Sequence, residues 1–192
     1  MRTRWWLIVA AYVAILFAMQ PRLGFVVDAV KERWGVPAFE RAMLAAAVAA
    51  GLLFVALVTR IWRAASRTDR MLLVAVAVLY VVGVSLLDIP QERLHYVEYG
   101  LLAGLVYFAC RRDLKRNMST WQAAFAAIVI TIGLGYLDEK LQGALWERRY
   151  FDWRDVLLNA QAAVLGTLAS VPVERVGNRG REPGLPPRPA SA

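Results

Sequence analysis

The chain has 192 residues, 59% of them hydrophobic, and a formal net charge of +8. Soluble domains hold roughly 45–50% apolar residues, so the excess calls for an apolar solvent, and the length allows one helical bundle without a sizeable soluble domain. One cysteine and one histidine exclude an internal disulfide and any multi-cysteine or multi-histidine metal centre, while basic residues set between apolar runs point to orientation in a membrane and away from nucleic acid.

Six predominantly apolar runs follow one another, where a spanning helix takes roughly 17–25 residues. They are Trp5 to Met19, Ala42 to Val58, Met71 to Leu87, His95 to Cys110, Trp121 to Leu137 and Trp153 to Val171. The pattern predicts an all-α fold, a polytopic membrane helix bundle of about six transmembrane helices. Met1-Arg2-Thr3-Arg4 ahead of the first run reads as the flank of an uncleaved signal anchor, since no clear small-residue cleavage site follows before Gln20-Pro21.

Basic residues orient this bundle. Arg2 and Arg4 precede the first run; Arg60, Arg63, Arg67 and Arg70 join the second to the third; Arg111, Arg112, Lys115 and Arg116 join the fourth to the fifth; Arg175, Arg179, Arg181 and Arg188 follow the sixth. The positive-inside rule makes these four segments, and with them both termini, cytoplasmic, as in a bacterial inner membrane protein. The first outer connection holds Arg22, Lys31, Arg33 and Arg41, interleaved with Asp28, Glu32 and Glu40. Within it, Val26, Val27, Val30 and Trp34 share one helical face, as in an amphipathic interfacial helix. Residues 177–192, rich in Pro, Gly and Arg, read as disordered. The organisation expected is thus 1–87 for the first three helices, 88–173 for a core of the last three, and 174–192 for a basic cytoplasmic tail.

Small residues support that core. Gly100 and Gly104 form a GxxxG; Ala127, Thr131 and Gly135 recur every four residues, as do Ala162, Gly166 and Ser170. Such stripes let helix backbones approach closely.

The outward ends of the same three helices carry ionisable groups: Glu92, Arg93, His95 and Glu98 on the fourth, Asp138, Glu139, Lys140 and Gln142 on the fifth, and Arg148, Arg149, Asp152, Asp155 and Asn159 at the sixth. His95 and Glu98, three apart, share a face, and so do Asp155 and Asn159, four apart. At about 1.5 Å rise per residue, Glu98 and Asn159 both lie roughly one turn inside their helix ends. An ionisable group at that depth needs a partner or a wet cavity. The N-termini of the fourth and sixth helices favour an anion there, whereas Asp138 and Glu139 oppose a C-terminal dipole and need a cation, a proton or arginines to offset it. Bland readings stand beside these: Asp155 as a helix cap, Arg148 and Arg149 as headgroup anchors, His95–Glu98 as a structural bond, Glu92, Lys140 and Glu147 as solvated charges, and Trp121 and Trp153 as interface anchors.

Two blocks of residues resemble the VanZ-like family of membrane proteins, named for a teicoplanin-resistance protein. Glu92-Arg93-Leu94-His95-Tyr96 with Glu98-Tyr99-Gly100-Leu101-Leu102 is similar to its acidic-basic pair, histidine and aromatic-rich helix. Asp138-Glu139-Lys140-Leu141-Gln142, then Arg149, Asp155 and Asn159, are similar to its later block. The likeness spans roughly residues 88–169; the family's glycine after the asparagine is Ala162 here, Gly166 is kept, and Arg149 is chosen over Arg148 because it keeps the spacing to Asp155. The resemblance implies a site and no defined reaction.

The residues admit two functions. In one, the protein acts on or binds a lipid-linked or phosphate-bearing substrate of the cell envelope and contributes to antibiotic resistance. His95 is then a general base oriented by Glu98, with Asp138 and Glu139 as the other catalytic candidates. Arg93, Gln142, Arg149, Asp155 and Asn159 are the substrate-binding candidates, Arg149 and the helix N-termini holding a phosphate. No metal ligands and no cofactor are assigned; the carboxylates suit Mg²⁺ or Ca²⁺ better than zinc, and no cation is required. In the other, the same groups form an interhelical network in a noncatalytic module that binds lipid or an envelope protein. A transporter is the weaker reading, for want of an inverted repeat or a midplane charge.

Overall fold

The computed structural model describes residues 4–87, 92–113, 118–145 and 150–179. Six helices account for nearly all of them: α1 (Arg4–Trp34), α2 (Val36–Trp62), α3 (Arg67–Ser85), α4 (Glu92–Asp113), α5 (Thr120–Leu145) and α6 (Trp153–Arg179). The all-α expectation is met, and there is no strand among the described residues.

Four helices, α2, α3, α5 and α6, are long and apolar enough to cross a membrane, and a fifth span is available if the two arms of α1, Arg4–Met19 and Gly24–Trp34, count as one. Those arms meet at 55° across a break holding Pro21, whose missing N–H weakens the helical ladder. α4, the other expected span, has 22 residues, but its charged residues together with His95 and its tyrosines make it too polar overall to count with them. It sits in the interior, with α1, α5 and α6 packed around it and α3 at its edge. A helix screened by its neighbours does not have to be apolar on every face, because lipid never solvates the polar ones.

The core is the α4–α5–α6 triplet, with α1 laid against α4, α3 against α6, and α2 packed on α1. None of the apolar window of α2 is buried in the chain, against 61% of that of α6, so α2 lies at the periphery and α6 near the centre. Leu102, Ala103, Val106, Ala109 and Cys110 of α4 are fully enclosed, as are Ala123, Ala127, Ala162 and Ala163. The small-residue stripes are where backbones meet: a Cβ on Gly166 would fall 2.7 Å from the Cα of Gly100, and one on Gly104 would fall 2.9 Å from Ser170 Oγ. The Tyr12 hydroxyl of α1 donates to the carbonyl of Glu98 at 3.0 Å, which ties the first helix to the core.

Connections are short. Gly35, at φ +81°, a backbone region that L side chains rarely adopt, is the single residue between α1 and α2, with Pro37 set in the first turn of α2. The interfacial stretch expected around residues 24–35 is thus the second arm of α1; its Val26 and Trp34 are exposed, while Val27 and Val30 are half-buried. α6 continues eight residues beyond the expected Val171, through Pro172 to Arg179, so the start of the expected tail is helical; residues 180–192 lie outside the described ones.

A candidate functional site at one end of the α4–α5–α6 core

α4 and α6 run parallel to each other and antiparallel to α5, so the N-terminal turns of the first two meet the C-terminal turns of the third. The start of α6 is fixed by Asp152, whose carboxylate accepts from the Arg154 N–H at 2.8 Å while its carbonyl accepts from the Val156 N–H at 3.3 Å. Asp152 is therefore the cap, and Asp155, one reading of which made it the cap, is left to face α4.

His95, 8% exposed, is held from α6. Its Nδ1 lies 2.9 Å from Asn159 Oδ1 and its Nε2 lies 3.8 Å from Asp155 Oδ2. Since Oδ1 can only accept, Nδ1 carries the proton of the neutral ring and Nε2 presents its lone pair. This corrects the expected His95–Glu98 couple. Glu98, half-buried, shares the face of His95 but gives it no hydrogen bond, because α6 brings Asn159 and Asp155 up to the two ring nitrogens.

α5 adds a second layer. Asp138 and Glu139 are 1% exposed and Asn159 is fully enclosed. Asp138 Oδ2 accepts from the Tyr99 hydroxyl at 2.8 Å and from Gln142 Nε2 at 2.9 Å, and Gln142 Nε2 also points at Glu139 Oε1 at 3.5 Å. Gln142 thus positions the two carboxylates. Tyr99, one turn along α4, stacks on His95 with 6.2 Å between ring centroids; sequence reasoning left it out of the site because tyrosines near helix ends usually mark the membrane interface. His95, Glu139 and Asp155 offer three ligand atoms all within 4.8 Å of one another. An imidazole thus stands among the carboxylates.

One candidate, Arg93, is placed elsewhere, and two of the expected surface charges, Glu92 and Lys140, are located. Arg93 donates from Nη2 to the Leu87 carbonyl at 2.9 Å, holding the entry to α4, and does not reach the cluster. Glu92, expected to be solvated, is 9% exposed and pairs with Arg154 at 3.5 Å. Lys140 is exposed and lies over the rings of Tyr136 and Phe151. Arg148, Arg149 and Glu147 lie outside the described residues.

A second polar cluster, at the opposite end of the same helices, escaped sequence reasoning. Glu174, 8% exposed, accepts from Arg111 Nε at 2.7 Å, Tyr107 Oη at 2.5 Å and Asn178 Nδ2 at 3.2 Å, while Arg111 Nη1 also donates to the Met118 carbonyl. Asp69, fully enclosed, closes a capping box with Ser66 and accepts from Arg175 at 2.9 Å and Arg179 at 3.5 Å. These arginines had been assigned to loops and tail by charge alone; here they lock α3 and α4 to α6.

Compared with protein-family models, curated proteins and solved structures, the chain gives no match.

Proposed function

We propose that the protein is a VanZ-like integral membrane protein of the bacterial inner membrane that binds, or acts on, a lipid-linked or phosphate-bearing substrate of the cell envelope and thereby contributes to antibiotic resistance. The observation that carries the reading is the set of His95, Asp138, Glu139, Asp155 and Asn159, drawn from three helices and gathered at one end of the core. His95 Nε2 lies 3.8 Å from Asp155 Oδ2, beyond hydrogen-bond reach, which leaves that nitrogen available to a substrate proton. His95 is the general base, its tautomer set by Asn159, and Asp155 steadies the imidazolium that forms. Asp138, held by Tyr99 and Gln142, and Glu139 complete the catalytic set. Arg149, just before α6, and the N-termini of α4 and α6 receive the phosphate.

In this reading α4 also spans, which makes six spans with both termini in the cytoplasm and the site on the periplasmic side. Arg63, Arg70, Arg111, Arg112, Arg175 and Arg179 all sit at the end of the bundle away from His95, which supports that orientation. The topology has a direct test, since the only native cysteine, Cys110, is buried and silent. Lys140→Cys should react with a membrane-impermeant maleimide added to whole cells. Labelling only after the cells are broken would reverse the orientation.

The function is tested by expressing wild type, His95→Ala and Asp138→Asn in a glycopeptide-susceptible host. Both variants should insert normally and keep the wild-type melting temperature while losing the resistance that wild type confers. Full resistance in both variants would dismiss the site. Loss of resistance in proportion to loss of stability would support the noncatalytic module, in which the same groups only hold helices together.

A further inference from the structure

We infer that His95, Asp155 and Glu139 form a binding site for one divalent cation of borderline hardness, best matched by Zn²⁺, with Asn159 as the residue that positions the imidazole. The inference rests on the reading above for the side of the membrane and the class of substrate, but it replaces the general-base role given to His95 there, because an imidazole whose Nε2 ligates a cation has no lone pair left to take a proton.

Three features carry it. First, the three ligand atoms come from three different helices and lie within 4.8 Å of one another, and His95 Nε2 and Asp155 Oδ2 are 3.8 Å apart. That is too far for a hydrogen bond, and close to the roughly 3.3–3.6 Å edge that ligands at about 2.0–2.2 Å make around a tetrahedral zinc. Second, the imidazole is turned for ligation. Asn159 Oδ1 accepts from Nδ1–H of the neutral ring, which leaves the Nε2 lone pair facing Asp155 Oδ2 at 3.8 Å, with Glu139 in the same group of ligand atoms. In its neutral form the ring turns an electron pair toward the Asp155 carboxylate in a site where His95 is only 8% exposed, and a cation between the two removes that repulsion. A histidine whose far nitrogen is tied to an acceptor is also the usual arrangement behind a metal. Third, the ligand set is selective. Two carboxylates alone would favour Mg²⁺ or Ca²⁺, which take oxygen almost exclusively, whereas an added imidazole shifts preference toward Zn²⁺. Three protein ligands leave a fourth position for water or for a phosphate oxygen of the substrate. Asp138 stands outside the set, engaged by Tyr99 and Gln142.

The test uses the full chain in detergent, stripped with a chelator, exchanged into metal-free buffer and titrated calorimetrically with Zn²⁺ and separately with Mg²⁺; bound metal is counted after gel filtration. The folded fraction is measured on every sample, and His95→Gln and Asp155→Asn are used because each nearly conserves volume. Wild type is expected to take up one Zn²⁺ per chain and to melt at a higher temperature when loaded. His95→Gln and Asp155→Asn should each weaken binding by about tenfold or more, and Asn159→Leu by about 10–100-fold, the range for residues that orient a metal-binding histidine. No saturable Zn²⁺ uptake by folded wild type, unchanged affinity in both ligand variants, or a preference for Mg²⁺ would each overturn the assignment. If Zn²⁺ fails to bind while folded His95→Ala still loses resistance, the cation falls and the functional reading stands. If Zn²⁺ binds as expected and folded His95→Ala keeps full resistance, the ion is structural and the functional reading falls.

Discussion

Gly166→Ala is expected to force α6 away from α4 and to disable the site two turns away. The added methyl would sit against the Gly100 carbonyl and 2.7 Å from the Gly100 Cα. Both are backbone, so no side chain can swing aside and the helices themselves must separate. Overpacking of this kind typically destabilises by about 1–3 kcal/mol, and a contact against rigid backbone belongs at the upper end. Because α4 carries His95 and α6 carries Asn159 and Asp155, separation lengthens the 2.9 Å His95–Asn159 contact directly. Gly133→Ala provides the control. Nothing lies within 4 Å of its added methyl, so it should be neutral or stabilise by up to about 1 kcal/mol through helix propensity. Thermal unfolding in detergent, with the resistance assay on the same variants, checks both. A Gly166→Ala protein as stable and as active as wild type would contradict the close α4–α6 approach.

The second large effect is expected at the other end of the core. Arg111→Ala leaves Glu174 with Tyr107 and Asn178 but without its counter-charge, at 8% exposure. Removing one partner of a buried pair costs about 3–5 kcal/mol. At roughly 2–4 °C per kcal/mol for a chain of this size, that is a fall of roughly 6–20 °C in melting temperature. The double variant Arg111→Leu with Glu174→Leu should recover much of the loss, since replacing both ends of a buried pair by apolar groups of similar volume is often near neutral. A double variant no better than the single one would mean that Glu174 is held mainly by Tyr107 and Asn178. Zn²⁺ binding by the folded fraction should be unchanged in both variants, because the pair lies at the end away from His95.

In the sequence Tyr99 was missed and Arg93, which turns to the Leu87 carbonyl, was included, but a polar or ionisable residue inside an apolar run has few uses, so His95, Asp138, Glu139, Asp155 and Asn159 stood out. Their pairing was not legible. Spacing along one helix suggested His95 with Glu98, but a partner from a neighbouring helix approaches head-on and wins, and only tertiary packing shows that Asn159 and Asp155 do so. α4 illustrates the converse error in hydropathy. Its charges lower its apolar score because it is the most enclosed helix of the bundle, with lipid kept from its polar faces. The lock at Glu174 and Asp69 was hidden by its surroundings, since single acids among many arginines look like incidental charges in cytoplasmic loops. Capping of α6 by Asp152 was equally invisible, because Asp152 and Asp155 are equivalent caps on composition and only the start of the helix at Trp153 decides between them.

The hydrogen bond from Tyr12 to the Glu98 carbonyl spans 86 positions in the chain, and that separation has a consequence for biogenesis. Translation at roughly 5–20 residues per second places roughly 4–17 s between synthesis of the phenol and synthesis of its acceptor. Until then α4, the helix it packs on most, is missing, and the face of α1 that carries Val9 and Leu16 has yet to be buried. Completion of the bundle therefore waits on α4, the helix against which α1 is laid. The late helices that carry the site are also the ones that let the earliest helix settle.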